Sequence, residues 1–75
     1  MKDTTAQNIL DYLSDLENYP NEAVAPYEEF RVGGYTYYFT PGGSLYRKDF
    51  GFEKEKVFFC GNLTEEVWRH RHAGG

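Results

Sequence analysis

Apolar residues recur at three- and four-residue steps near the start of the chain: Ala6, Ile9, Leu10, Leu13 and Leu16 in "TTAQNILDYLSDLEN". That spacing places one apolar stripe along a helix, predicted over 4–19, with Thr4 or Thr5 as N-cap and Pro20 as the stop. From position 28 the period shortens to two. Phe30 and Val32, then Tyr35, Tyr37 and Phe39, alternate with Glu29, Arg31, Thr36, Tyr38 and Thr40, the pattern of strands that bury one face. Gly33-Gly34 between these runs predicts a two-residue turn of the primed type, because glycine reaches positive φ without a steric penalty. Such a turn pairs Val32 with Tyr35, Phe30 with Tyr37 and Glu28 with Phe39, so the large apolar residues share one side. A slip of one residue would scramble that separation.

The second glycine pair continues the meander. A three-residue loop at Pro41-Gly42-Gly43 sets Leu45 opposite Phe39 on the apolar face and Tyr46 opposite Tyr38 on the other. A fourth strand is predicted over Lys54–Cys60 after a corner at Gly51, with Val57-Phe58-Phe59-Cys60 as its buried end. Gly61-Asn62 then turns the chain, and Thr64 caps a short helix over 64–72, acids first and bases last as the macrodipole prefers. Positions 19–29, with two prolines, read as a linker. The expected fold is one α+β domain over 1–75: an N-terminal amphipathic helix packed on a small antiparallel β-meander of three to four strands (28–60), with a short C-terminal helix. The long helix should lie on the Phe30, Val32, Tyr35, Tyr37, Phe39 and Leu45 face. Tyr38, Tyr46, Arg31, Lys48 and Thr36 then face outward, either towards a partner or under Val67 and Trp68 of the last helix.

Length sharpens that alternative, since 75 residues lie near the lower limit for a self-sufficient core. The single cysteine, Cys60, excludes an internal disulfide and, without thiol and imidazole partners, a structural zinc. Bulk comes instead from seven Tyr, six Phe and one Trp, each able to bury about 150–250 Å²; self-association is the other route to a complete core. No stretch approaches the roughly 20 apolar residues of a membrane span, and "MKDTTAQNIL" lacks the apolar region of a signal peptide. A cytoplasmic protein is expected, in which the "NLT" sequon at 62–64 carries no glycan.

Charge is placed unevenly. Residues through Glu29 hold seven acids and one base, those from Phe30 onward five acids and seven bases, for a net charge of −4. An acidic front disfavours direct nucleic-acid binding, which rests on neutralising phosphates. It suits a larger protein partner, including one with a basic nucleic-acid-binding groove. Asp15 and Glu17 also sit towards the end of the predicted helix, where the dipole prefers cations, and such local conflicts concentrate at functional surfaces. Asp11, Asp15 and Glu17 are therefore one candidate partner-binding face. Arg31, Tyr38, Tyr46 and Lys48 are the other, since Tyr and Arg are enriched in binding hot spots.

Motifs for catalysis are sparse. "PGGS" lacks the lysine and the following helix of a phosphate loop. Cleavage after Gly34 would part Phe30 and Val32 from their matching face. His70 and His72 diverge on a helix, as do Glu65 and Glu66, and Glu28-Glu29 point apart on a strand. Cys60 reads as a small buried hydrophobe. No enzyme activity, cofactor or metal is expected. Within "KDFGFEKEKVFF" (48–59), Lys48, Phe50, Gly51, Phe52, Val57 and Phe58 faintly resemble the nucleic-acid-binding strands of cold-shock domains. Asp49, Phe59 and Cys60 depart from that pattern, the spacer is short, and that family opens with a strand. The terminal Gly74-Gly75 is similar to the tail of ubiquitin-like proteins, which open with a hairpin, not a helix. By analogy of size and charge, small acidic phage and mobile-element inhibitors of host defence, anti-CRISPR proteins among them, suggest a non-catalytic protein-binding module that acts by occlusion or nucleic-acid mimicry. The alternatives are a single-strand nucleic-acid module that uses the strand aromatics, and a homo-oligomeric structural subunit.

Overall fold

The computed structural model describes residues 3–72; the Gly74-Gly75 pair lies outside the described residues. Helix α1 (Thr4–Ser14) is followed by β1 (Phe30–Val32), β2 (Tyr35–Phe39), β3 (Ser44–Phe50), β4 (Glu55–Asn62) and helix α2 (Glu65–Arg71). The strands form one antiparallel sheet in the order β1-β2-β3-β4, an α+β fold with a four-stranded meander. Turn chemistry sets its register. Gly33 and Gly34 both adopt positive φ, +61° and +83°, and pair Val32 with Tyr35 and Phe30 with Tyr37. The loop at 41–43 closes with Gly43 at φ +86° and pairs Phe39 with Leu45 and Tyr38 with Tyr46.

The core holds Ala6, Leu10 and Leu13 of α1, Tyr37, Phe39 and Leu45 of the sheet, and Leu63, Val67 and Trp68 at the C-terminal end. Both helices pack on this one face. Trp68 stacks on Phe39 with ring centroids 5.7 Å apart, and its indole N–H donates to the Pro41 carbonyl at 2.7 Å. Leu10 lies so close to the β4 backbone that a Cβ on Gly61 would meet its Cδ1 at 2.8 Å. The glycine and a β-bulge between Leu45 and Tyr46 let the helix seat there.

Several boundaries differ from the sequence expectation. The N-cap is Asp3, not Thr4 or Thr5: its Oδ1 accepts the Ala6 N–H at 3.0 Å. Helix α1 ends at Ser14, not at 19, because the Asp15 carboxylate accepts the Asn18 N–H at 3.1 Å and side-chain amide at 2.9 Å. That local turn competes with helical bonding. Strand β1 starts at Phe30, so Glu28 is not paired opposite Phe39; the Tyr27 N–H instead donates to the Phe39 carbonyl at 2.7 Å. Gly61-Asn62 continue β4 instead of turning the chain.

The largest correction concerns the fourth strand. Val57, Phe58 and Phe59, expected as its buried end, are 44%, 44% and 60% exposed, and Val32 and Tyr35 are 39% and 42% exposed. The cause is the face each residue takes. Val57 and Phe59 lie opposite Lys48 and Tyr46, on the side of the sheet that carries no helix. Phe58, Val32 and Tyr35 lie on the helix-bearing side, where the Arg47 guanidinium gives Tyr35 and Phe58 only partial cover.

One ionic cluster ties the start of α1 to the sheet. Asp3 accepts from the buried Tyr37 hydroxyl at 3.1 Å and from Arg47 at 3.0 Å. Arg47 also reaches Asp49 at 2.9 Å and lies over the Tyr35 ring, 4.5 Å from its centroid. Burial pushes the Tyr37 hydroxyl up to about 12, reinforced by the Asp3 carboxylate. Burial alone would raise the Asp3 carboxyl, but the bonds from Ala6, Tyr37 and Arg47 outweigh it and hold it below 3.8. A carboxylate with a depressed folded pKa contributes stability above its unfolded pKa and loses it as pH falls through the folded one. Acid titration should therefore lower stability as pH drops below about 3.8, and Asp3→Asn should flatten that part of the profile. Denaturant midpoints measured from pH 6 to pH 2 check this; an unchanged slope in the variant would remove Asp3 as the source.

Candidate functional site

The two candidate faces fare differently in three dimensions. Asp11 is exposed on α1 and accepts from Gln7 at 2.9 Å. Asp15 is half-buried, and its carboxyl is held below the usual range first by the Asn18 side-chain bond, then by the Asn18 backbone N–H. Glu17 is exposed in the turn beyond the helix end. The three acids thus belong to a helix, its cap and the following turn, and do not line one helical face.

The apparent conflict of acids with the helix dipole is resolved from the far end of the chain. Arg71, on the last turn of α2, is fully buried beneath the end of α1. Its Nε donates to the Leu13 carbonyl at 2.7 Å and its Nη2 to the Asp15 carbonyl at 3.4 Å. Its Nη1 donates to the carbonyls of Tyr19 and Glu22. The cation that the helix terminus lacks locally comes from 56 or more residues away, and it serves carbonyls that would otherwise stay unpaired.

The outward sheet residues do come together. Tyr38 and Tyr46 stack with centroids 5.7 Å apart and planes 18° from parallel. Phe59 of β4 meets Tyr46 edge-on at 5.6 Å, and Tyr27 from the linker lies 6.4 Å from Tyr38 on the other side. Four rings thus cross the sheet in a row. Val67 and Trp68 pack on the opposite face, so the last helix does not cover this one. Tyr27 holds φ at +67°, a left-handed backbone uncommon for a bulky side chain, yet it is 65% exposed. Core packing does not explain that conformation; it carries the ring onto the open face.

The lysine of this face is paired. Lys48 lies 6.0 Å from the Tyr38 ring centroid, with its ammonium paired to Glu29 and, at 3.5 Å, to Glu55. The Glu29 bond above all raises its pKa. Arg31 is exposed and donates to the Gly34 carbonyl at 3.3 Å. Lys48 is thus held between two carboxylates, whereas Arg31 bonds to a backbone carbonyl alone among the described residues.

Tyr27 and Phe59 were missed by sequence reasoning. A tyrosine after Pro26 in a linker gives no periodic signal, and the bulge beside Tyr46 hides which face each β4 residue takes. Burial pushes the Cys60 thiol above 9.0, which leaves it a protonated thiol at neutral pH. Among the described residues, no three His, Cys, Asp or Glu side chains gather as a metal site, and no helix is long and apolar enough to cross a membrane. No family model, curated protein or solved structure matches this chain, and its site is read from geometry.

Proposed function

We propose that the chain is a small non-catalytic protein-binding module whose contact surface is the open sheet face of Tyr27, Tyr38, Tyr46 and Phe59. The observation that carries this reading is the four-ring row left uncovered by both helices. Rings with polar tips, fixed on a rigid sheet, bury area with little entropy loss, which makes Tyr a frequent hot-spot residue. The engagement of Lys48 by Glu29 and Glu55 favours a protein over a single-stranded nucleic acid, because phosphate binding needs several cations free of carboxylates and Arg31 alone is one. Occlusion of a larger protein, as in phage-borne inhibitors of the anti-CRISPR type, is the mode that size and acidity support. The acidic version of that mode, with Asp11, Asp15 and Glu17 entering a basic groove, has less support, since Asp15 is engaged with Asn18.

Two paired variants test the assignment in affinity capture from a candidate host lysate, with bound proteins identified by mass spectrometry. Tyr38→Ala with Tyr46→Ala should lose the captured protein, with affinity reduced about 30-fold or more, since the loss of even one hot-spot tyrosine costs roughly 2 kcal/mol. Asp11→Lys with Glu17→Lys, both on exposed positions, should retain it. The reverse outcome would move the site to the acidic residues. Tight binding of labelled single-stranded DNA or RNA, with steep salt dependence, would replace protein binding altogether.

A further inference from the structure

Strand β4 ends the sheet, and the side it turns away from β3 pairs with no strand among the described residues. It is eight residues long and apolar on both faces at its centre. Phe58 lies opposite Arg47 on the helix-bearing face, while Val57 and Phe59 lie opposite Lys48 and Tyr46 on the open face. All three are largely exposed. Sheet edges in monomers are usually short, bulged or charged along their length to block pairing. Here the bulge is at one end, beside Gly61, and the charges are at the other, Glu53 to Lys56; the centre has neither.

We infer that β4 pairs with β4 of a second copy of this chain, antiparallel and centred on Phe58, to make one continuous eight-stranded sheet. Self-complementarity selects both the occupant and the register. Centred on Phe58, the pairing sets Phe58 opposite Phe58, Val57 opposite Phe59, and Lys56 opposite Cys60. Opposed residues then share a face, as antiparallel strands require, and aromatic meets aromatic or β-branched residue, the favoured cross-strand combinations. Centres nearer the hairpin tip oppose Glu55 to Glu55 or Lys56 to Lys56, like charges that disfavour pairing. A centre at Val57 sets Glu55 and Lys56 against phenylalanines, and one at Phe59 leaves Val57 facing glycine. The charged end from Glu53 to Lys56 holds two acids and two bases, so the edge stays neutral although each copy carries −4. The pairing also joins the two open aromatic faces side by side, but it does not depend on what those faces bind.

Sedimentation equilibrium over micromolar to millimolar protein should show the mass rise from 8.7 kDa to twice that value and stop there. Phe58→Lys and Phe58→Glu each put like charges on the two-fold axis and should weaken the dimer at least about tenfold. An equimolar mixture of the two should recover it. In the wild-type protein, amides on the outward edge of β4 should exchange more slowly as concentration rises, a readout that needs no variant. A wild-type mass that stays at one copy, growth beyond two copies, or a dimer unaffected by both substitutions would overturn the inference.

Discussion

Replacing Arg71 with methionine is expected to lower stability by about 3 kcal/mol, from the loss of a buried bond to a charged donor and of several weaker ones. The side chain is fully buried yet makes no ion pair among the described residues; it closes four backbone carbonyls, those of Leu13, Asp15, Tyr19 and Glu22. Methionine keeps the apolar stem as far as the position of Nε, so the substitution removes the guanidinium's hydrogen bonds while most of the stem's packing stays. The Leu13 bond is the most enclosed of the four and dominates the loss, because no water replaces the donor there. The carbonyls of the turn regain water and cost less. For a chain of 75 residues, total stability at 0.05–0.15 kcal/mol per residue is about 4–11 kcal/mol, so such a loss is a large part of the whole. Arg71→Lys should recover less than half, since one ammonium cannot reproduce a planar fork spread over four acceptors. Urea denaturation of the three proteins measures this directly. Equal stability of the wild type and the methionine variant would show that the guanidinium's desolvation cancels its bonds.

Legibility in the sequence followed distance along the chain. Local signals carried the meander: two glycine turns, a period of two, and matched apolar faces lead to the pairs Val32–Tyr35, Phe30–Tyr37, Phe39–Leu45 and Tyr38–Tyr46 that the sheet contains. The same signals placed Tyr38 and Tyr46 together on the outward face. Arg71 was invisible for the opposite reason. Nothing in "WRHRH" distinguishes Arg71 from Arg69, yet Arg69 is an exposed partner of Glu65 while Arg71 reaches the end of α1. The separation follows from helical angle and from where α2 docks, both tertiary facts. The exposure of Val57, Phe58 and Phe59 was hidden differently. A continuous apolar run reads as a buried strand, and only the placement of both helices on one face leaves Val57 and Phe59, on the other, uncovered. Phe59, core by sequence pattern, is in the fold the end of the aromatic row.

Gly43→Ala should be nearly as damaging as the loss of Arg71, at about 3 kcal/mol, although the residue carries no side chain at all. Two separate costs meet there. Its φ of +86° is left-handed, which for an L-residue costs about 1–2 kcal/mol. An added Cβ would also lie 2.8 Å from Cγ of Trp68, inside a stack with Phe39 that is itself core; such overpacking costs about 1–3 kcal/mol. Neither cost can be relieved cheaply, because the Trp68 indole is anchored to the Pro41 carbonyl of the same loop. The neighbouring glycine separates the two effects. A Cβ on Gly42 meets nothing within 4 Å and its φ is not positive, so Gly42→Ala should change stability by no more than about 0.5 kcal/mol. Gly34, with φ +83° and open space around it, isolates the backbone cost, and Gly34→Ala should fall between the others. Thermal denaturation of the three alanine variants should therefore rank them Gly42, Gly34, Gly43 in order of increasing loss. If Gly43→Ala were no worse than Gly34→Ala, then Trp68 would not be packed against this loop, and the docking of α2 on the helix-bearing face would be wrong. The open aromatic face depends on that docking, because Val67 and Trp68 are the side chains that would otherwise be free to cover it.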